Sequence, residues 1–259
     1  MKSYSQLRRE ARFALSGNWG VFALGYLLYV LLVFALTAPV SLLQSAQLLM
    51  GKQSPVMEAG GQVWSIIVSL ALYPLLWSMF AALLRLLRRQ YEREVQLGDF
   101  FEGFRRTNSI MWTYLVQTCF SLFGALPFVG GVLLLVKCGV ENSSLSEMAR
   151  PELLMFAGGV ALSALGVIVL ICVSLRVALT PYVLYDTELV GPSAVVRSWQ
   201  MMKGQTWRLF VLALTFIPWM LLCVVTLGLA YLWVFPYLNA AVAAFYEDLR
   251  GELHSAAVE

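Results

Sequence analysis

Long, nearly uncharged apolar runs occupy residues 19–43, 63–87, 110–136, 153–180 and 207–249 of this 259-residue chain. Each reaches the about 20 residues that a helix needs to cross the ~30 Å hydrocarbon layer of a bilayer. Lipid is the solvent in which such runs are stable, because a helix satisfies its backbone polar groups internally. The fifth run holds 43 residues, which as one helix would be about 64 Å long, twice the layer. It therefore folds back on itself, and Thr226-Leu227-Gly228 is the natural turn, dividing it into spans at 207–226 and 229–249. The expected fold is all-α: six transmembrane helices, arranged as three helical hairpins with short cytoplasmic interfacial helices, in one integral-membrane domain covering residues 1–259.

Composition agrees. Of the residues, 60% are hydrophobic and 13% charged, against about a quarter charged in ordinary soluble domains. The connecting segments are too short to bury a core of their own. The basic residues sit in short segments beside the apolar runs, which reads as a topology signal rather than as a nucleic-acid-binding face. Of the Lys and Arg residues, fifteen fall on the side of the two termini and three (Lys52, Lys137, Arg150) on the other. That asymmetry places both termini in the cytoplasm. The first run exceeds the ~7 to 15 residues of a signal-peptide apolar region, so it is expected to be an uncleaved span.

The segments before the odd-numbered spans share a design. Ser5 to Leu15 is basic and amphipathic and ends in Ser16-Gly17-Asn18 before Trp19; Asp99 is placed as the cap of a segment carrying Phe100, Phe101 and Phe104 on one side, ahead of Trp112; and Pro192 opens a segment with Val195, Trp199 and Met202, closed by Gly204 ahead of Trp207. Each is expected to dip its apolar stripe into the headgroup region. Trp19, Trp112 and Trp207 are 93 and 95 residues apart, and the even spans end in Tyr91-Glu92, Tyr185-Asp186 and Tyr246-Glu247. A threefold internal repeat accounts for this pattern; so does the general placement of aromatics and charges at membrane interfaces.

The last third is the most distinctive. Ser198-Trp199-Gln200-Met201-Met202-Lys203-Gly204, the Trp207/Phe210 pair, Phe216-Ile217-Pro218-Trp219, Thr226-Leu227-Gly228-Leu229, Trp233-Val234-Phe235-Pro236-Tyr237 and Ala244-Phe245-Tyr246-Glu247 follow in that order. With Asp99-Phe100-Phe101-Glu102-Gly103-Phe104 and the stretch from Ala14 to Trp19, they resemble the uncharacterised bacterial integral-membrane family numbered 975 among the domains of unknown function. That family is distantly similar to membrane domains attached to some glycerophosphodiester phosphodiesterases. The resemblance implies the bacterial cytoplasmic membrane as location and carries no activity onto residues. Pro218 stands where the resemblance implies Gly, which predicts a sharper kink, and the acidic segment 141–152 is individual to this chain.

Chemistry-bearing motifs are sparse. The cysteines Cys119, Cys138, Cys172 and Cys223 lack metal spacing and read as buried structural thiols. The one histidine, His254, lies in the polar tail, and no acidic residue sits inside a span away from its ends. No protease, Walker or dinucleotide pattern occurs, so the chain is expected not to be an enzyme and to use no cofactor or metal. Three polar residues lie six to nine positions before the Tyr-acid ends: Arg85, Arg176 and Asn239. They fit a pocket for lipid, anion or substrate, and equally hydrogen-bond glue between helices; for Arg176 the structural alternative is snorkelling or pairing with Asp186 or Glu247. Prolines 74, 127, 181, 218 and 236 interrupt the spans, and Ala157, Ala161, Gly159 and Ser163, with Ala240 and Ala244, give spacing suited to close helix packing. The expected function is a non-enzymatic membrane component that binds membrane lipids or a membrane-protein partner, but not nucleic acid. The alternative is a small transporter or lipid-handling permease.

Overall fold

The computed structural model describes residues 2–51, 54–88, 95–141 and 150–258. Among them every regular element is helical and no strand occurs. In order these are α1 (Tyr4–Leu15), α2 (Trp19–Leu49), α3 (Pro55–Leu87), a 3-10 segment (Leu97–Arg106), α4 (Thr107–Glu141), α5 (Arg150–Val177), α6 (Thr180–Asp186), α7 (Pro192–Met201), α8 (Thr206–Leu214), α9 (Ile217–Val225) and α10 (Tyr231–Val258). Five stretches are long and apolar enough to cross a membrane: Trp19–Leu49, Pro55–Leu87, Leu97–Cys138, Leu153–Asp186 and Thr206–Val225. The helix expected as a sixth span, α10, is of another kind. Tyrosines, Pro236, Asn239 and the Glu247-Asp248 pair dilute its apolarity. Protein encloses it, with Ala240, Ala241, Ala243, Ala244 and Phe245 all buried.

Two expected features of the spans take a different form. First, α4, expected to kink or end at Pro127 and Gly130-Gly131, runs on as one helix to Glu141. The reason lies in its antiparallel contact with α5. A side chain at Gly131 would meet the Ser163 backbone and the Gly159 carbonyl, and one at Gly166 would come within 2.2 Å of the Phe128 amide nitrogen. Glycine lets the two backbones touch, and that contact supports the helix past its weak point. Second, Pro181 and Pro218 open helices instead of kinking them, each in the first turn of α6 and α9, where the missing N–H has no partner to lose. The fifth span is thereby split into α8 and α9. The turn at residues 226–228 forms as expected, with Leu227 and Gly228 at φ 51° and 91° and the Gly228 amide donating to the Cys223 carbonyl at 2.7 Å.

The core gathers at the end of the bundle that carries both termini. There α3 is buried from Leu75 to Leu84 apart from a half-buried Leu76, whereas its residues 62–67 are exposed. The short amphipathic elements build this core. Leu7, Ala11 and Leu15 of α1 are fully buried, and α1 lies against α10 and α3, so its stripe faces protein rather than headgroups. Val195 and Met202, on and just after α7, are likewise buried. In the 3-10 segment, three residues per turn align Phe101 with Phe104, and these two stack outward while Phe100 is buried on the opposite side. Gln96 rather than Asp99 is its capping residue, with the Asp99 carboxylate bonding back to the Gln96 amide at 2.9 Å. Phe100 fills the space that the absent side chain of Gly25 leaves on α2. Gly103 is equally constrained, since a Cβ there would stand 2.3 Å from the Pro74 carbonyl oxygen. Of the cysteines, Cys138 and Cys223 are buried, whereas Cys119 and Cys172 are exposed on the outer faces of α4 and α5.

Candidate functional site

At the core end, the last turns of α3 and α6 meet residues 246–250 of α10, and each of the three helices brings charge. Arg88, the residue that terminates α3, donates from Nη1 to Asp186 Oδ1 at 2.8 Å and from Nη2 to Glu247 Oε1 at 2.6 Å. The Tyr246 hydroxyl donates to Asp186 Oδ2 at 2.9 Å, and Arg250 Nε adds an ion pair to the same oxygen at 3.0 Å. One arginine thus bridges two helices, and one carboxylate collects three donors. Side-chain exposure is 15% for Arg88 and 9% for Asp186. Burial works against the Arg88 charge, but its bonds to Asp186 and Glu247 outweigh that and hold the guanidinium pKa above its ordinary value. Asp186, Tyr246, Glu247 and Arg250 border an open cavity of about 600 Å3, completed on the α7 side by Arg197 and Met201.

Neighbouring pairs extend the latch. Asp248, next to Glu247, accepts from Arg208 Nη2 at 2.5 Å, and the same nitrogen reaches the Lys2 carbonyl at 2.7 Å. Consecutive acids on α10 therefore tie it to α3 on one side and to α8 and the N-terminal segment on the other. Arg85, one turn before Arg88, is ion-paired with Glu102 of the 3-10 segment and donates from Nε to the Tyr185 hydroxyl at 3.0 Å.

The structure gives the three sequence-predicted residues separate partners. Arg85 and Asn239 both reach α6: Arg85 through Tyr185, and Asn239 through its carbonyl, which accepts from the Tyr182 hydroxyl at 2.9 Å. The Asn239 side chain bonds to its own helix at the Phe235 carbonyl. Arg176 stands apart, its guanidinium 4.7 Å from the centre of the Trp199 ring on α7. The three do not border the 600 Å3 cavity. Asp186 and Glu247, weighed as partners for Arg176, take Arg88 instead. The signal for this cluster was present in the Tyr-acid pairs, since Tyr185-Asp186 and Tyr246-Glu247 both enter it; Tyr91-Glu92 lies outside the described residues, as does most of the acidic segment 141–152.

A rim of unpaired charge surrounds the latch. Arg9 and Arg12 of α1, Arg105 and Arg106 of the 3-10 segment, and Arg197 and Lys203 on or just beyond α7 are exposed and form no ion pair among the described residues. Between them stand exposed aromatics: Phe13 at 66%, Phe101 at 46%, Phe104 at 43% and Trp207 at 71%. Among the described residues no group of His, Cys, Asp and Glu is placed to hold a metal ion.

Fold and site together define an all-α protein with several apolar helices of membrane-crossing length, latched at one end by arginine–carboxylate pairs and ringed there by basic and aromatic side chains. The chain belongs to the family described as Protein of unknown function (DUF975), whose family model matches residues 1–252. No curated protein and no solved structure matches it.

Proposed function

We propose that this chain is a non-enzymatic component of the bacterial cytoplasmic membrane, crossing it six times as three antiparallel helix pairs, with both termini in the cytoplasm. On this reading α10 is the sixth span, enclosed by the others, and the latched end binds anionic lipid headgroups or the acidic surface of a membrane-protein partner. The observation that carries the proposal is the rim: six exposed cations interleaved with four exposed aromatics on the elements that flank the spans. Trp favours the headgroup layer and Phe on an interfacial segment inserts just beneath it, and each basic residue near an anionic leaflet contributes about 1 kcal/mol. α1 and the 3-10 segment bury their other faces in the bundle, which supports the rim as part of the folded surface.

The test is native mass spectrometry of the full chain released from nanodiscs of mixed phosphatidylglycerol and phosphatidylcholine. The wild type should retain phosphatidylglycerol preferentially, and the Arg105→Gln/Arg106→Gln variant should lose most of that preference. Equal retention of both lipids by the wild type would refute the headgroup reading.

One observation favours the second reading, a small transporter or lipid-handling permease. The fifth span is broken between α8 and α9 at Thr215 and Phe216, and broken helices line substrate sites in transporters. Proteoliposomes that move a fluorescent phospholipid between leaflets faster than empty vesicles would support it over a purely binding role.

A further inference from the structure

Away from the latch, the bundle carries a polar feature that is independent of the basic rim. Gln62, Ser65 and Ser69 of α3 are spaced three and four residues apart, so they share one helix face. With Tyr114 and Thr118 of α4 they line an open cleft of about 210 Å3 between the two helices. Gln62 also borders a cavity of about 360 Å3 between α2 and α3, which continues the polar lining toward that end of the bundle. In the other direction the α3 face reaches Tyr73, stacked on Tyr114 with ring centres 3.9 Å apart.

Some of these groups are already satisfied. Ser65 donates to the Gly61 carbonyl at 2.9 Å and Thr118 to the Tyr114 carbonyl at 2.8 Å. Gln62, the Ser69 hydroxyl and the Tyr114 hydroxyl form no hydrogen bond among the described residues. Ser69 stands near the middle of α3, at a depth where an unpaired polar group is costly. No Asp, Glu, Lys or Arg lines the cleft, so it offers hydrogen bonds without a countercharge. Ile66 and Leu115 on its walls are 61% and 38% exposed, so the cleft opens sideways onto the surface that meets lipid tails.

We propose that this cleft holds the head of a neutral, hydroxyl-bearing lipid of the diacylglycerol class, taken laterally from the bilayer. The Gln62 amide and the Ser69 and Tyr114 hydroxyls donate to its ester oxygens, and the lipid hydroxyl donates to Gln62 Oε1. The acyl chains lie along the exposed apolar faces of α3 and α4. A volume of 210 Å3 is that of about seven waters at ~30 Å3 each, room for a three-carbon head. An ionised phosphate there would lose hydration with no cation to replace it, which sets the preference against phospholipids.

The experiment uses the full chain in nanodiscs of phosphatidylethanolamine and phosphatidylglycerol doped with dioleoylglycerol. Native mass spectrometry should find one dioleoylglycerol on the wild type and roughly tenfold less on Gln62→Leu/Ser69→Leu, as expected for two or more lost hydrogen bonds. Phospholipid retention should not change. Equal dioleoylglycerol on both proteins, or replacement of it by phospholipid on the wild type, overturns the proposal. A diazirine-bearing diacylglycerol supplies a readout on the wild type alone. Labels concentrated on residues 62–70 and 114–118 support the site, and labels spread over the lipid-facing surface overturn it.

Discussion

Arg88 joins three helices through one guanidinium, pairing from the end of α3 with Asp186 on α6 and Glu247 on α10. Replacing it with Gln leaves Glu247 without its Arg88 cation and Asp186 with the Arg250 cation alone, both in a largely buried setting. Losing one partner of a buried pair costs about 3–5 kcal/mol, and partial solvent access at this end lowers the expected loss to about 2 kcal/mol. Glu10→Gln breaks the Lys2–Glu10 pair, whose side chains are 43% and 38% exposed, and is expected to change stability by less than ~0.5 kcal/mol. Thermal unfolding of both variants in one detergent checks the contrast; equal losses would mean that the cluster is no latch. Glycines allow a second comparison. A methyl group at Gly103 has no space beside the Pro74 carbonyl, whereas at Gly98 nothing lies within 4 Å. Gly103→Ala should therefore destabilise by about 1–3 kcal/mol and Gly98→Ala by much less, read from the same melting curves.

Among the elements, α4 and α5 make the most direct test of backbone contact. Gly166→Val places a branched side chain against the Phe128 backbone, while Gly158→Val points into open space. The first is expected to part the two helices and cost about 2–3 kcal/mol, and the second to be nearly neutral. A disulfide between Leu135→Cys and Gly159→Cys, whose positions are in contact across the pair, should form readily in the parent protein and slowly with Gly166→Val. The run lengths between residues 19 and 180 already declared four of the apolar helices, because a membrane-length helix is written in apolarity alone. The turn at Gly228 was equally legible, from Thr226-Leu227-Gly228 inside a 43-residue apolar run. What periodicity left hidden was the partner of each polar face. The stripe Leu7, Ala11, Leu15 reads alike whether lipid or protein covers it, and only tertiary contact places it in the core. Phe100, Phe101 and Phe104 share a side at 3.6 residues per turn and separate at three, so one unforeseen 3-10 segment redistributed them. For the candidate site, the acids were visible as Tyr-acid pairs. Their arginine was not, because the sequence offers Arg85, Arg88 and Arg176 near the ends of two spans and does not say which of them faces α6 and α10.

At the scale of the whole molecule, the open quantity is how many times the chain crosses the membrane, and it turns on α10. Apolarity marks five helices as membrane-length, whereas the charge asymmetry puts fifteen of eighteen Lys and Arg on the side of the termini only if the chain crosses an even number of times. The two signals disagree because they measure different things. Hydropathy asks whether a helix tolerates lipid on all sides, and α10 has little lipid to tolerate: Ala240, Ala241, Ala243 and Ala244 bring its backbone against neighbouring helices. An enclosed helix needs small residues and satisfied polar groups, which the Asn239 carbonyl obtains from the Tyr182 hydroxyl. The positive-inside bias acts on loops, regardless of how apolar the intervening helix is. The latch also requires Glu247 of α10 to return to the level of Arg88 at the end of α3, which a helix left on the far side does not reach. A reporter pair that works on opposite sides of the membrane decides it. Green fluorescent protein fused after residue 259 should fluoresce, and alkaline phosphatase fused after residue 228 should be active while the same fusion after residue 259 is silent. Active phosphatase at residue 259 would instead mean five crossings, and it would place Glu247 and Asp248 across the membrane from Arg88, against the ion pairs that hold the bundle together.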